Sequence, residues 1–560
     1  MALTRIFGID LGTTYSCIAY VDETGRPVVV PNSDSEMTTP SVVHFESADN
    51  IVVGKQAKNM SKLEPDRVVE FVKRDMGNAA YSFEVDGHQY RPEELSSHIL
   101  RKLVGDASQY VGEEIKDIVI TCPAYFGINE REATKNAGEL AGLTVHHILN
   151  EPTAAAICYG VDRAKGDQTV LVYDLGGGTF DVTVIALKGN DIHVVVTGGN
   201  RTLGGKDWDD RVTEYFASQF TEAHPDKGSP LDDSYSYQEL LKSAEDAKKN
   251  LTSKEKSPVS VSHAGERVRV ELTREKFEEI TADLLNQTIQ ITRDSLEKAK
   301  DRGYDRVDQT LLVGGSSKMP YVARRMEEEF GGEVQLFEPD LAVAKGAALM
   351  GVKILAGEMI KEVIASEQGV SKDEIDLETV DTRTLEKAAE EASRRSPGAL
   401  RLPSKDLAEM ARRKIVNVSS KGFGVVALKD AQSTDKYVAF LIHNNTPVPT
   451  EVTETEFGTI KADQRDVHIR VMEQSGQEES PELSDNTDIG EGEITGLPPN
   501  LPAGSPIHVT FRLREDGTLQ VSAREPSSGR DLEFDIKVEG VMSSEEVEER
   551  KGILLKQSVT

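Results

Sequence analysis

Apolar and polar positions follow different periods in different parts of the chain. Residues 3–21 hold two apolar runs, RIFGID and SCIAYV, around the polar turn LGTTY. That pattern predicts strand, turn, strand. Short strands are expected over 27–56, a helix over 91–111, a buried strand over 115–122 and a helix over 129–141. Residues 169–198 repeat the opening arrangement, with TVLVYDL, a glycine turn, FDVTVIAL and then IHVVVTGG. Helical periodicity fills 207–222, 235–251 and 273–302. A strand at 309–315 and a helix at 319–330 follow. Strands alternating with helices at this spacing argue for α/β layers.

The texture then changes. Residues 358–413 are charged and mostly helical, with a break at Pro397-Gly398. Residues 415–539 hold short alternating strands such as HIRVM, IHVTFRL, TLQVSA and LEFDIKV, with an acidic loop at 473–493. An all-β domain is expected there. The tail SSEEVEERKGILLKQ places a serine cap before a Glu-rich first turn, which predicts one short helix.

At 560 residues, two to four domains are expected from about 100–200 residues per domain. Acidic residues number 96 against 65 basic ones, a net charge of -31. Such a chain is repelled by nucleic acid and anionic lipid, so neither is expected as a partner. Cys17, Cys122 and Cys158 form no CxxC and no disulfide framework, and their apolar neighbours mark them as buried. The sequence starts at once on IFGID, with no signal peptide and no run of 18 apolar residues, so a cytoplasmic location is expected.

Two related turns carry the chemistry. Asp10-Leu-Gly12-Thr13-Thr14 and Asp174-Leu-Gly-Gly-Gly178-Thr179-Phe-Asp181 each lie between apolar strands. Each has an Asp at a strand end, glycine in the turn and a threonine beyond. Glycine lets backbone N–H groups point at phosphate oxygens, threonine hydroxyls add donors, and aspartates hold Mg2+ through its water shell. One such turn reads most simply as a hairpin. Two alike turns point to two similar half-domains clasping one nucleotide. The standard alternatives fail in detail. Asn200–Asp207 lacks the first Gly and the Ser/Thr of a P-loop, and Gly422–Ala427 matches a dinucleotide pattern only at the start of the β region.

Six segments resemble the Hsp70 (DnaK-type) family of molecular chaperones: DLGTTYS at 10–16, CPAYF at 122–126, NEPTAAAICYG at 150–160, DLGGGTFDV at 174–182, LGGKDWD at 203–209 and LVGGSSKMP at 312–320. The resemblance implies an α/β actin-like (ribonuclease H-like) two-lobed ATPase domain, followed by an all-β substrate-binding sandwich. The expected boundaries are 1–357 for the ATPase, 358–413 for a helical connector, 414–540 for the sandwich and 541–560 for a short remnant of the family's helical lid.

The resemblance also implies roles. Lys73, Glu151, Asp174, Thr179 and Asp181 match the catalytic positions. Gly12, Thr13, Thr14, Tyr15, Gly176, Gly177, Gly178 and Thr179 match the phosphate turns, and Asp10 and Asp174 the metal positions. Glu245, Lys248 and Thr252 share one helix face and match the nucleoside-binding helix. Gly314, Gly315, Ser316, Lys318 and Asp340 match the other side of the base site, with Lys318 where Arg is usual. Pro123 and Arg131 resemble positions that relay nucleotide state between domains. Leu428, Ile460 and Val467 resemble the peptide channel. ATP/ADP, Mg2+ and K+ are the implied cofactors. Extended client polypeptides, a J-domain cochaperone and a nucleotide exchange factor are the implied partners.

Two departures bear on function. About 55 charged residues replace the short leucine-rich interdomain linker, and the approach Arg413-Lys414-Ile415-Val416 is expected to dock differently from an apolar strand. Only 20 residues follow Gly540. The favoured reading is an ATP-hydrolysing chaperone that binds and releases extended apolar segments. The alternatives are an ATP-binding adaptor for one dedicated protein and another actin-like phosphotransferase.

Overall fold

The computed structural model describes residues 5–161, 166–395, 402–429, 433–515, 517–535 and 541–560. The expected break at Pro397-Gly398 and the last residues of LEFDIKV lie outside them.

The first 340 residues build two sheets on one plan. In the first lobe, Phe7–Asp10 and Tyr15–Val21 form an antiparallel hairpin, extended by Pro27–Val29. On the other side of Phe7–Asp10 lie the parallel strands Asp117–Cys122 and Thr144–Asn150. The second lobe repeats this order. Gln168–Leu175 and Phe180–Lys188 form the hairpin, Asp191–Asn200 extends it, and Gln309–Val313 and Val334–Leu336 run parallel on the far side. The central strands are buried on both faces, as their unbroken apolar runs predict. The periodicity at 273–302 resolves into two helices, Arg274–Ile280 and Ala282–Asp301, meeting at Thr281.

The helix Ala342–Gln368 spans the boundary expected at 357. Its first half packs among small residues of both lobes, including Ala154, Ala155 and Ala156. Its second half carries Ile360, Val363 and Ile364 into a separate core, with Leu385, Ala388 and Ala389 of the helix Thr382–Arg395 and Leu407, Ala408 and Ala411 of the helix Ser404–Arg412. The apolar stripes of these charged helices therefore face the long helix.

Ile415–Val418 then adds to the second-lobe sheet, parallel to Asp191–Asn200 with Ile192 opposite Ile415. The expectation that a basic approach would dock differently gives way here, for two physical reasons. Strand addition uses backbone groups, which any side chain leaves available. The basic flank also meets acid, since Lys414 N–H donates to Asp191 Oδ1 at 3.0 Å and its Nζ lies 3.0 Å from Glu378. Pro447–Val448 of the next domain adds one further strand.

Two four-stranded antiparallel sheets form the sandwich. One runs Lys436–Ile442, Phe423–Leu428, Val467–Gln474, Asn486–Ile494, and the other Thr450–Gly458, Pro506–Leu513, Leu519–Glu525, Arg530–Asp535. Much of the acidic stretch 473–493 is strand rather than loop, because Asn486–Ile494 pairs with Val467–Gln474 and turns its charged side chains outward. Ile128 of the first lobe inserts into the sandwich core. The C-terminal helix Ser544–Leu554 returns to the first lobe, where Val547 and Leu554 join its core.

Candidate functional site

The two glycine turns meet face to face between the lobes. A Cβ on Gly177 would lie 1.7 Å from Thr14 Oγ1, and one on Gly178 2.4 Å from Thr13 Cγ2. A larger residue at either position would require the facing threonine to shift. Each turn also closes on itself. Gly12 N–H donates to Ser16 Oγ at 3.0 Å, and Gly176 N–H to Thr179 O at 3.0 Å. The helix Gly205–Ala223 begins against the second turn, with Gly205 N–H donating to Gly176 O at 2.9 Å and Lys206 N–H to Gly177 O at 2.8 Å.

Beside the turns lies a cavity of about 430 Å3, in the size range of small-ligand sites. Asp10, Gly12, Thr13, Thr14, Tyr15, Lys73, Glu151, Asp174, Gly176, Gly177 and Thr179 line the end beside the two turns. Glu245, Lys248, Thr252, Gly314, Gly315, Ser316, Lys318 and Asp340 line the rest. Of the residues expected from the sequence, Gly178 and Asp181 stand behind this lining. Gly178 packs on Thr13, and Asp181 Oδ1 accepts from Tyr125 N–H at 3.0 Å.

Lys73 is buried and donates from Nζ to Glu151 Oε1 at 2.5 Å. Three further carboxylates crowd around this pair. Burial first, then the charge of Glu151, pushes Asp10 up to about 7, with Lys73 opposing. Burial and Glu151 push Asp181 up to about 7 as well, and Asp174 rises well above the carboxylate range for the same two reasons. A buried acid cluster with one lysine holds more negative charge than it can neutralise, which suits a site that takes up cations with its ligand. Among the described residues, no three His, Cys, Asp or Glu side chains converge on a single ion. Mg2+ needs no such cage, since it keeps several waters and binds through one or two carboxylates and substrate phosphates.

The other end is built from paired charges. Glu245 is buried, which alone would raise its carboxyl, but Lys58 and Lys249 hold it down to about 2. Lys58 belongs to the first lobe and its Nζ lies 2.5 Å from Glu245 of the second, so this ion pair bridges the two lobes. Lys249 Nζ also donates to Tyr15 OH at 2.8 Å. Lys248 Nζ donates to Gly205 O and to Asp209 Oδ2, both at 2.7 Å. Thr252 donates to Lys249 O at 2.7 Å, and Ser316 Oγ to Gly176 O at 2.9 Å. Gly314 has φ +81, and a Cβ there would lie 2.5 Å from Asp174 Oδ1. Lys318 pairs with Asp340.

Thr38, Asp209, Lys249, Met319 and Val343 also line the cavity and were not expected from the sequence. Lys249 had a usable signal, because Glu245 and Lys249 stand four apart on one helix. Asp209 and Met319 lie within the segments LGGKDWD and LVGGSSKMP, whereas Thr38 and Val343 are single residues brought in by folding.

The sandwich sits on both lobes. Tyr125 OH donates to Gly476 O at 2.7 Å, and Ile128 N–H to Glu473 Oε1 at 3.1 Å. On the second lobe, Thr197 N–H donates to Asn445 Oδ1 at 2.7 Å, and Gln477 Nε2 to Gly199 O at 2.6 Å. Arg131, under this interface, donates to Phe126 O, Ala124 O and Asn150 Oδ1, and Pro123 accepts from Phe126 N–H at 3.2 Å. Leu428, Val467 and Ile460 fall at one end of the sandwich. Leu428 ends one strand, Val467 starts its antiparallel neighbour, and Ile460 lies in the loop before it, half exposed at 49%.

Comparison with known proteins found one matching family model, described as Hsp70 protein, over residues 6–368 and 426–557. The gap between the two spans most of the connector and the docking strand. The chain is 36% identical over 552 residues to the Chaperone protein DnaK of Thermotoga neapolitana, covering 97% of this chain and 82% of that one. The Chaperone proteins DnaK of Thermotoga petrophila and Thermotoga maritima match at the same identity and coverage. Among the described residues, no helix is long and apolar enough to cross a membrane.

Proposed function

The chain belongs to the Hsp70 family, and from that premise we propose how its residues divide the work of an ATP-driven chaperone cycle. The protein is an ATP-dependent chaperone and an ATPase, with ATP/ADP and Mg2+ as its ligands. The ATPase part is actin-like, a fold supported by its two sheets of identical strand order. ATP lies in the cleft with its phosphates between the two glycine turns.

Thr13, Thr14, Thr179 and the backbone N–H groups of both turns donate to phosphate oxygens. Lys73 neutralises charge on the transferred phosphoryl group and, with Glu151, holds the attacking water. Asp10 and Asp174 would hold Mg2+ through its water shell, and the ion would supply neutralisation of phosphate charge. Asp181 holds the Tyr125 backbone and steadies the wall behind the reacting group. K+ would answer the remaining excess of carboxylate charge. Glu245, Lys248, Thr252, Gly314, Gly315, Ser316, Lys318 and Asp340 hold the nucleoside. Lys318 keeps a positive charge but lacks a planar guanidinium, so it grips a base face less firmly than Arg would.

At the other end, the sandwich takes an extended apolar segment near Leu428, Ile460 and Val467, through backbone hydrogen bonds and a side-chain pocket. A J-domain cochaperone and a nucleotide exchange factor are the partners expected to set the pace of the cycle.

The observation that carries this assignment is the buried Lys73–Glu151 pair at the junction of two mutually packed glycine turns. Two measurements test it. Lys73→Ala is expected to abolish hydrolysis while largely sparing ATP binding, and normal turnover in that variant would remove the assignment. Peptides of extended apolar sequence should bind and dissociate faster on adding ATP. Failure of every such peptide to bind would favour an adaptor with one dedicated partner.

A further inference from the structure

Arg74 adjoins Lys73 in sequence but does not line the nucleotide cavity. Its guanidinium crosses the gap between the lobes instead. Nε–H donates to Gly178 O at 3.0 Å, and both terminal nitrogens donate to the two oxygens of Asp207. The pair is largely shielded, with Arg74 15% and Asp207 23% exposed. Asp207 lies in the first turn of the helix that starts against the second glycine turn, and its Oδ2 also accepts from Gly204 N–H at 2.8 Å. Gly204 is in backbone contact with Gly178, since a Cβ on it would lie 2.6 Å from Gly178 N.

Every end of the Arg74 side chain is therefore tied to the second phosphate turn. Its backbone belongs to the short turn Val72–Asp75, which also carries Lys73. That turn begins at Phe71, whose φ is +61. A bulky residue holds a left-handed backbone only where the surroundings enforce it. Lys206, next to Asp207, sits over the Phe71 ring at 5.5 Å. The strained start of the Lys73 turn and the start of the second-lobe helix are thus locked together twice.

We propose that Arg74 is a positioning residue for ATP hydrolysis. It fixes the Lys73 turn of one lobe against the Gly176–Thr179 turn of the other, and so sets the spacing across which Lys73 and Thr179 converge on the transferred phosphoryl group. It touches neither nucleotide nor water. Its effect is confined to the geometry of the reacting arrangement, where displacements of about 1 Å cost rates of order 100-fold. Planar, bidentate donation with a third N–H to a carbonyl is beyond a lysine, so the role depends on the guanidinium and not on charge alone.

The proposal rests on the ATPase assignment above, and the test separates the two. Single-turnover hydrolysis and ATP affinity would be measured on the full chain and on Arg74→Lys, Arg74→Ala, Asp207→Asn and the double variant Arg74→Ala/Asp207→Asn. The melting temperature with ADP bound serves as the folding control. The hydrolysis rate should fall roughly 10- to 100-fold in each single variant, with ATP affinity changed by less than about threefold. The double variant should be no slower than the single ones, because both ends act as one unit. Parent-like hydrolysis in Arg74→Ala would overturn the proposal. So would full rescue by lysine, equal losses of rate and affinity, or multiplied losses in the double variant. Lys73→Ala measured in parallel marks which idea has failed. If it hydrolyses normally, the site itself is misplaced. If it is inactive while the Arg74 variants are normal, only the role of Arg74 is lost.

Discussion

Glu473 belongs to the sandwich, yet its Oε1 accepts from the first N–H of a first-lobe helix, Ile128–Leu140, whose own N-cap is a glycine. One domain thus supplies the cap that the other lacks. The carboxyl is fully buried. Burial first, then the charge of Glu130, pushes it from 4.5 up to about 7, while Lys421, the Ile128 N–H and Arg131 oppose. Lys421, over the Tyr125 ring at 3.6 Å, is pushed by burial down to about 8. An acid whose value rises on docking binds its proton more tightly in the docked state. Its contribution to docking is fully present below 4.5 and is lost as pH rises through about 7. Lys421 stays charged through most of that window and its own contribution changes only above it. Docking, followed by energy transfer between labels on sandwich and ATPase, should tighten as pH falls from 7 to 5. In Glu473→Gln that slope should vanish, and an unchanged slope would refute the assignment. None of this was legible in the sequence, where Glu473 is one acid in an acidic run. The paired glycine turns were legible because each is contiguous and there are two of them. Lys58 and Arg74 were not, because their partners lie more than 100 positions away.

The helix Ala342–Gln368 joins three parts of the molecule. Val343 lines the cavity between the lobes, Ala347 and Ala348 lie in the core between the lobes, and Ile360, Val363 and Ile364 anchor the connector. Its approach to the helix Glu151–Val161 is close enough that a Cβ on Gly346 would lie 1.8 Å from Ala154 O. Backbone cannot yield that distance without moving a helix. Gly346→Ala should lower stability by about 1–3 kcal/mol or more, despite the better helix propensity of alanine. Thermal unfolding would read the loss, and a rise in melting temperature would show that the helices have room to part. The connector illustrates where sequence pattern stops. Its helices were predicted from their charge and periodicity, but the surface they pack on is a helix of the ATPase domain itself. Periodicity reports that a helix has an apolar stripe, not what covers it. The docking strand shows the reverse error: its basic approach was expected to dock differently from an apolar strand, yet it joins the sheet, and its flank meets Asp191 of the sheet and Glu378 of the connector.

Across the whole molecule the sandwich is tied at both ends, to a different lobe at each. Its entry strand Ile415–Val418 belongs to the second-lobe sheet. Beyond its exit, Ser558–Val559 pairs in parallel with Asn50–Val53 of the first lobe. Ser558 N–H donates to Asp49 O at 2.8 Å, Thr560 N–H to Ile51 O at 3.0 Å, and Val53 N–H to Thr560 O at 2.9 Å. The helix before that strand is gripped by side chains. Arg101 donates to Leu554 O at 2.7 Å and to Gln557 O at 2.6 Å, and Arg550 pairs with the buried Glu94. Gln557 donates to Ala48 O and to Tyr90 OH. A short acidic helix gives no hint in sequence that it returns to the opposite end of the chain, because its partners precede it by about 450 residues. Arg101 satisfies carbonyls both at the helix end and at the turn into the strand. Arg101→Ala leaves both carbonyls without that donor and should loosen the helix and strand together. Cleavage by trypsin at Lys551 and Lys556 should then quicken by about tenfold, the ratio expected if roughly 1.4 kcal/mol of local stability is lost. The amides of Ser558 and Thr560 should exchange faster in step, while those of the second-lobe core, which do not depend on this tie, keep their rates. If both lobes loosen equally, the C-terminal segment is part of the global fold and not a separately opening strap.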